Sequence, residues 1–212
     1  GVEISTDASE GKVHVLGYFI DYTHPKLQAA LKRMCNSRRE QAQKMITKLK
    51  NLGVPIEWER VQQIASSSSI GRPHIAQVML EKGYITSIKE AFTKYIGWGE
   101  PAYAERDKLT PREAVELILQ ANGLPVLAHP LTVKDPETMV IELKINGLVG
   151  IEAYYAEYTA AKINRLVSLA ERYGLITTGG SDYHGLDASA LTMIGSAEVP
   201  LESAEQLIAL AE

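Results

Sequence analysis

Apolar runs of strand length alternate with helical patterns through the second half of this chain. Strands are predicted at 124–128, 149–154 and 175–178, and helical patterns fill the intervals between them. This order favours parallel pairing, because two parallel neighbours need a long crossover connection, which a helix supplies. The pattern therefore predicts an α/β fold with a parallel sheet in this region.

The helix before the first of these strands has a well-defined start. Thr110 precedes Pro111, and Glu113 follows at the third helical position. This order is typical of a capping box with proline in the first turn. Further along, we predict helices at 136–145, 160–173 and 202–211 and a last strand near 193–199.

The first half of the chain has a different pattern. Two strand-like runs at its start, 2–6 and 13–20, are predicted to form a hairpin. A long helix starting at Pro25 follows, and then further short helices with few strand signals between them. We therefore predict an α/β domain of residues 1–22 and 109–212, interrupted by an all-helical insertion at 23–108.

Charge and cysteine content exclude several functional classes. The net charge of -4 gives no overall basic field for holding long duplex nucleic acid. Cys35 is the only cysteine, which excludes an internal disulfide framework and fits a reducing compartment. No apolar run approaches transmembrane length, so we expect a cytoplasmic protein without a membrane partner.

Imidazole and carboxylate groups follow the predicted strands, where parallel α/β folds place functional side chains. His129 comes directly after one strand, and Asp182 and His184 follow another through a Gly-Gly-Ser turn. Glu3 and His14 lie on the two arms of the hairpin. Each of these residues has an ordinary structural explanation when taken alone. The shared position of His129, Asp182 and His184 just beyond buried strands favours a metal site, and the nitrogen and oxygen ligands suit zinc, manganese or iron.

Gly71-Arg72-Pro73-His74 has the pattern of a helix start. Free backbone N–H groups beside the guanidinium of Arg72 suit a phosphate group. A solvated arginine at a helix start explains the same residues equally well. Arg38 occupies the inward phase of the long helix, where its charge must either reach solvent or meet an anion.

Six segments together resemble successive signatures of the PHP (polymerase and histidinol phosphatase) family, in the family's order and over almost the whole chain. They are similar above all to the bacterial branch that acts on nucleoside 3′,5′-bisphosphates and short 5′-phosphorylated oligonucleotides. The segments are Gly1-Val2-Glu3-Ile4-Ser5, Val13-His14-Val15-Leu16-Gly17-Tyr18, Gly71-Arg72-Pro73-His74-Ile75-Ala76, Ala128-His129-Pro130, Gly150-Ile151-Glu152-Ala153-Tyr154-Tyr155 and Gly180-Ser181-Asp182-Tyr183-His184-Gly185.

The resemblance implies a distorted (β/α)7 barrel with a helical insertion and a centre of two or three divalent ions, Mn, Zn or Fe. It implies that one set of residues binds metal and that a second set lies on the substrate-phosphate side. The metal set is Glu3, His14, His129, Asp182 and His184, and the substrate set is Arg72, His74 and Arg38.

The family also has an initial His-x-His strand and an Asp-His pair that have no counterpart here. We therefore expect a barrel truncated at its N-terminus, part of a longer protein, with impaired activity as given. Self-association through exposed barrel edges is a further expectation.

The expected activity is hydrolysis of a nucleotide phosphomonoester by metal-activated water. His184 or His74 would protonate the leaving oxygen, and the sequence does not choose between them. Two alternatives stay open, a different PHP phosphatase such as histidinol phosphatase and a non-catalytic scaffold. The Gly-Arg-Pro-His segment argues against histidinol phosphatase.

Overall fold

The computed structural model describes residues 1–6, 13–66, 69–183 and 193–212. These residues form two compact units, of which the first is Gly1–Gln28 with Lys108–Glu212 and the second is Ala29–Asp107. No helix in the described part of the chain is both long and apolar enough to cross a membrane.

The first unit is built on a five-stranded sheet in the order β1-β2-β3-β4-β5. The strands are β1 (Val2–Ser5), β2 (His14–Tyr18), β3 (Leu124–Leu127), β4 (Gly150–Tyr155) and β5 (Ile176–Gly180). β1, β2 and β3 pair antiparallel, and β3, β4 and β5 pair parallel. The predicted α/β class and parallel region are confirmed. Over the described residues the sheet is open, because β1 and β5 are edge strands with one neighbour each.

Helices cover this sheet and bury its apolar side chains. They are α5 (Pro111–Gln120), α6 (Pro136–Ile145), α7 (Ala160–Tyr173) and α8 (Leu201–Ala211). The predicted capping box is present at α5: Glu113 N–H donates to the Thr110 hydroxyl (3.2 Å), and Thr110 N–H donates to the Glu113 carboxylate (2.8 Å). Ile4, Leu127 and Ile151 are fully buried in the core that results.

The strand predicted near 193–199 is wrong. The chain turns there instead, with Ser196 N–H donating to Met193 O at 3.0 Å. Gly195 has a φ of 83°, in the left-handed region, which interrupts the extended conformation that its β-branched neighbour Ile194 favours.

The second unit is helical over its described residues. It contains most of α1 (Pro25–Asn51) together with α2 (Trp58–Ala65), α3 (Arg72–Glu81), α4 (Ile88–Ala91) and a π-helical turn at Phe92–Ile96. The turn closes on Gly97, where a Cβ would lie 1.9 Å from Phe92 O, so only glycine fits. That this unit is an insertion into a barrel stays a prediction.

Candidate metal centre

Three predicted ligands, Glu3, His14 and His129, meet at one edge of the sheet, the end where β1 and β3 finish and β2 begins. Nδ1 of His14 lies 2.6 Å from Oε1 of Glu3 and 3.0 Å from Nε2 of His129. Nε2 of His129 lies 3.7 Å from the same Glu3 oxygen. One potential ligand atom from each residue thus points to a common position.

The register of the sheet explains this meeting. Ser5 stands opposite His14 in the β1–β2 ladder, and Glu3 lies two residues before Ser5, so Glu3 and His14 share a face as diagonal neighbours. On the other side of β2, Ala128 N–H donates to His14 O at 3.0 Å. His129 follows Ala128 directly, and its ring therefore reaches the same edge.

The separations fit a single bound cation. A metal ion that holds nitrogen and oxygen ligands at about 2.1 Å spaces them by roughly 3.0 to 3.4 Å in octahedral or tetrahedral geometry. The three separations here, 2.6, 3.0 and 3.7 Å, scatter around that range. Two imidazoles with one carboxylate also form a donor set typical of zinc and of redox-active first-row metals. The residues present therefore fit a divalent ion.

The three groups perturb one another electrostatically. Hydrogen bonds to His129 and then His14 hold the pKa of the Glu3 carboxyl well below its usual range, against the opposing effect of burial. Burial acts to lower the pKa of His129, but its contact with Glu3 and the charges of Glu152 and Asp182 raise it overall. A concentration of negative potential at this edge thus favours a positive charge, as a metal site requires.

His129 has a strained backbone that neighbouring groups hold in place. Its φ is 28° and ψ is 60°, a region that costs energy for any residue other than glycine. The buried Glu152 carboxylate accepts its N–H at 2.8 Å, and the Thr132 hydroxyl donates to its carbonyl oxygen at 3.0 Å. Leu131 N–H, two residues on, donates to the Tyr158 hydroxyl at 3.1 Å. These contacts fix the turn that directs Nε2 towards Glu3.

Asp182 lies at the end of β5, near the three-residue cluster but outside it. Its Oδ2 accepts a hydrogen bond from the Tyr155 hydroxyl at 3.2 Å, and its φ is also left-handed, at 52°. Its negative charge is one of the causes that raise the pKa of His129. His184, the fifth predicted ligand, lies outside the described residues.

Sequence reasoning missed the role of Glu152. The side chain is only 6% exposed, and burial is the main cause that raises the pKa of its carboxyl. A carboxylate inside the apolar strand Gly150–Tyr155 was the available indication, because glutamate is rarely buried without a specific partner.

The predicted substrate residues lie in the helical unit. The Arg72 guanidinium lies over the rings of Phe92 (5.4 Å) and Tyr103 (5.8 Å) and donates to Ile96 O at 3.4 Å. His74 Nδ1 accepts the N–H of Gly71 at 3.0 Å, which caps α3. Burial lowers the pKa of His74.

Arg38 is half-buried on α1, whereas Arg39 is exposed. This partial burial agrees with the inward-facing position on the helix that the sequence predicts for Arg38. Substrate contacts by Arg38, Arg72 and His74 stay predictions.

Comparison with known proteins gives relatives that act on phosphate esters. No family model matches the chain. It is 29% identical over 188 residues to the 5′-3′ exoribonuclease Rnm of Escherichia coli, covering 87% of this chain and 64% of that protein. It is 28% identical over 189 residues to the 3′,5′-nucleoside bisphosphate phosphatase of Chromobacterium violaceum, covering 87% of the chain and 66% of the relative.

A third relative is the phosphoribosyl 1,2-cyclic phosphate 1,2-diphosphodiesterase of Eggerthella lenta. It is 30% identical over 189 residues, covering 87% of this chain and 72% of that protein. The chain thus spans a little under two thirds of the length of the exoribonuclease and somewhat more of the diphosphodiesterase.

Two solved structures share the fold. A candidate metal-dependent phosphoesterase from Bifidobacterium adolescentis superimposes with a TM-score of 0.86 at 22% identity, covering 98% of this chain and 74% of that one. An amidohydrolase from Chromobacterium violaceum, solved with sulfate bound and no metal, gives 0.83 at 27% identity, covering 99% and 75%. Both similarities confirm the fold class predicted from the sequence.

Proposed function

Because this chain belongs to the PHP (polymerase and histidinol phosphatase) family of metal-dependent phosphoesterases, we propose that it hydrolyses phosphomonoesters of small nucleotides. The substrate class is a nucleoside 3′,5′-bisphosphate or a short 5′-phosphorylated oligonucleotide. Relatives named as a nucleoside bisphosphate phosphatase and as an exoribonuclease support this class. The observation that carries the proposal is the convergence of Glu3, His14 and His129 on one position.

We assign Glu3 Oε1, His14 Nδ1 and His129 Nε2 as ligands of a divalent ion, Mn, Zn or Fe, with Asp182 and His184 completing a centre of two or three ions. When bound, the ions supply acidification of a water molecule and neutralisation of charge on the phosphoryl oxygens. Glu152 and Thr132 hold the His129 turn, so that the ring is oriented before any ligand arrives.

Residues of the helical unit are proposed to bind the substrate phosphate. Arg72 is suited to this role because the rings of Phe92 and Tyr103 restrict its guanidinium, which lowers the entropy cost of gripping two oxygens. His74 accepts a hydrogen bond at Nδ1, so its neutral ring carries the proton on Nε2 and can donate a hydrogen bond to a phosphate oxygen. The leaving oxygen is protonated by His74 or His184 in this proposal.

The remaining assignments follow from the same proposal. We propose that residues 23–108 are the substrate-side insertion of a PHP barrel. A reducing, cytoplasmic location is supported by the single cysteine. A non-catalytic scaffold has less support, because the three ligand positions on β1, β2 and the turn after β3 are occupied by residues that fit a cation.

The proposal is tested by measuring inorganic phosphate released from adenosine 3′,5′-bisphosphate with Mn²⁺. The assay is run on this chain and on the full open reading frame that encodes it, each as wild type, His129→Ala and His24→Ala. His129→Ala is expected to lower turnover at least a hundredfold, whereas His24, outside the cluster, serves as the matched control.

Turnover that survives His129→Ala would refute the assignment of the site. Absence of both bound metal and phosphate release in the wild-type open reading frame would favour the scaffold instead.

A further inference from the structure

We infer that the helical unit contains an anion pocket centred on Arg39 that binds a phosphoryl group. The pocket is an open cleft of about 300 Å³ between α1, the C-terminal end of α2 and the residues leading into α3. This volume is at the lower end of the range for small-molecule sites. The preference for an anion comes from the pocket itself, whereas the choice of a phosphoryl group rests on the proposed function.

The polar lining of the pocket consists of hydrogen-bond donors around one positive charge. No carboxylate is among the described residues that line it, and its only charged group is the guanidinium. The polar lining residues are Asn36, Arg39, Gln62, Ser66 and Ser69. Amide and hydroxyl groups can each donate to an oxyanion, and the guanidinium adds a fork of N–H groups that matches two phosphate oxygens. The sign of the charge therefore selects an anion over a cation.

Arg39 has no acidic partner among the described residues, in contrast to three other surface arginines. Three arginines form ion pairs with glutamates, at 2.7 or 2.8 Å: Arg60 with Glu81, Arg112 with Glu116 and Arg172 with Glu137. The Arg39 guanidinium instead lies over the Trp58 ring, with Cζ 5.6 Å from the ring centroid. Stacking restricts the side chain without using its N–H donors, so an incoming anion orders it at low entropic cost.

The end of α2 adds little opposing charge to the pocket. A helix C-terminus carries partial negative charge on its free carbonyls. Here Ser66 N–H donates to the carbonyls of Gln62 (3.0 Å) and Gln63 (3.2 Å), which occupies two of them. Ala65 and Ile70 form an apolar wall of the pocket. This wall lowers the local dielectric constant and so strengthens the attraction between the Arg39 guanidinium and an anion.

Equilibrium dialysis against ³²P-labelled inorganic phosphate, with a chelator present, tests the pocket. Chelation removes divalent ions, so the metal centre cannot retain the label, and an Arg72→Gln background removes the other proposed phosphate contact of the helical unit. Arg39→Gln is expected to weaken phosphate retention at least tenfold. Arg39→Lys keeps the positive charge but loses the paired N–H groups of the guanidinium, so it should weaken retention by a smaller factor. Arg33→Gln removes the same charge from an exposed position of α1 outside the pocket and should change nothing. Adenosine 5′-monophosphate should displace the label, and adenosine should not.

Tryptophan emission locates the bound anion. The chain has two tryptophans, so Trp98→Phe leaves Trp58, beside Arg39, as the only emitter. Its emission should change with phosphate and reach half of its full change at a phosphate concentration equal to the dissociation constant found by dialysis.

Three results would each overturn the inference: no retention of phosphate, retention that Arg39→Gln does not change, and binding without a change in Trp58 emission. Normal hydrolysis without phosphate retention would refute the pocket alone. Retention without hydrolysis would refute the proposed function and leave anion binding standing.

Discussion

At the scale of single residues, the candidate metal centre depends on a buried carboxylate that is not itself one of the three clustered ligands. Glu152 is buried in β4 and accepts the N–H of His129 at 2.8 Å. Burial of a carboxyl group costs free energy unless hydrogen bonds or charges compensate it. We attribute its presence to the His129 turn, whose strained conformation would otherwise leave a buried N–H group without an acceptor.

Glu152→Ala should therefore weaken both folding and metal binding. We expect a loss of about 1–3 kcal/mol in the free energy of unfolding, from the unsatisfied His129 N–H, and roughly 10- to 100-fold weaker metal affinity. Glu152→Gln keeps an oxygen acceptor and should lose less of both. Urea unfolding and metal titration measure the two effects, and equal metal affinity in all three proteins would contradict the assigned role.

At the scale of secondary-structure elements, the close approach of β4 and β5 positions two acidic residues of the site, Glu152 on β4 and Asp182 just after β5. Gly150 permits this approach, because a Cβ at this position would lie 2.6 Å from Ile176 Cγ1 and 2.8 Å from Ile176 O. The second contact is to backbone, so a rotamer change cannot relieve it. Glycine at the start of β4 is therefore a packing requirement.

Gly150→Ala should push β4 and β5 apart. We expect a destabilisation of about 1–3 kcal/mol, as for other overpacked cores, with weaker metal binding because Glu152 lies on the displaced strand. Gly71→Ala is the matched control, since its Cβ would make an ordinary 3.5 Å contact with Pro73 Cδ. Thermal unfolding compares the two variants, and equal melting temperatures would contradict the steric argument.

The start of α4 has a pH-dependent anchor. The ion pair with Lys94 and then the hydrogen bonds from Thr86 lower the pKa of Glu90 to about 2. Because the folded pKa lies below the unfolded value, this stabilisation is complete above the unfolded value of 4.5 and is lost as the pH falls towards 2. The stability difference between wild type and Glu90→Gln should therefore shrink from pH 7 to pH 3. Urea unfolding at the two pH values tests this, and a constant difference would exclude the anchor.

At the scale of the whole molecule, the candidate metal centre and the proposed anion-binding residues belong to different compact units. Glu3, His14 and His129 belong to the first unit, whereas Arg39 and Arg72 belong to the second. The sheet of the first unit keeps two edge strands over the described residues, so self-association through them stays a prediction.

Divalent metal should stabilise the folded chain, because the three ligands meet only when the sheet is formed. At a free ion concentration of about 100 times the dissociation constant, linkage gives roughly 2.7 kcal/mol of added stability. Thermal unfolding with Mn²⁺ or Zn²⁺ should show a rise in melting temperature that His14→Ala abolishes and His24→Ala retains. The same rise in His14→Ala would place the bound metal elsewhere.

Local chemistry in the sequence determined the α/β class, the capping box at Thr110 and the set of candidate ligands. Periodicity and helix-end preferences act over a few residues and are therefore visible in the chain itself. The tertiary structure decided which candidates meet. His14 and His129 are 115 positions apart, and only strand pairing and register bring Nδ1 of His14 within 3.0 Å of Nε2 of His129. The role of Glu152 and the pocket at Arg39 likewise depend on elements distant in sequence, because burial and shared surroundings are properties of packing.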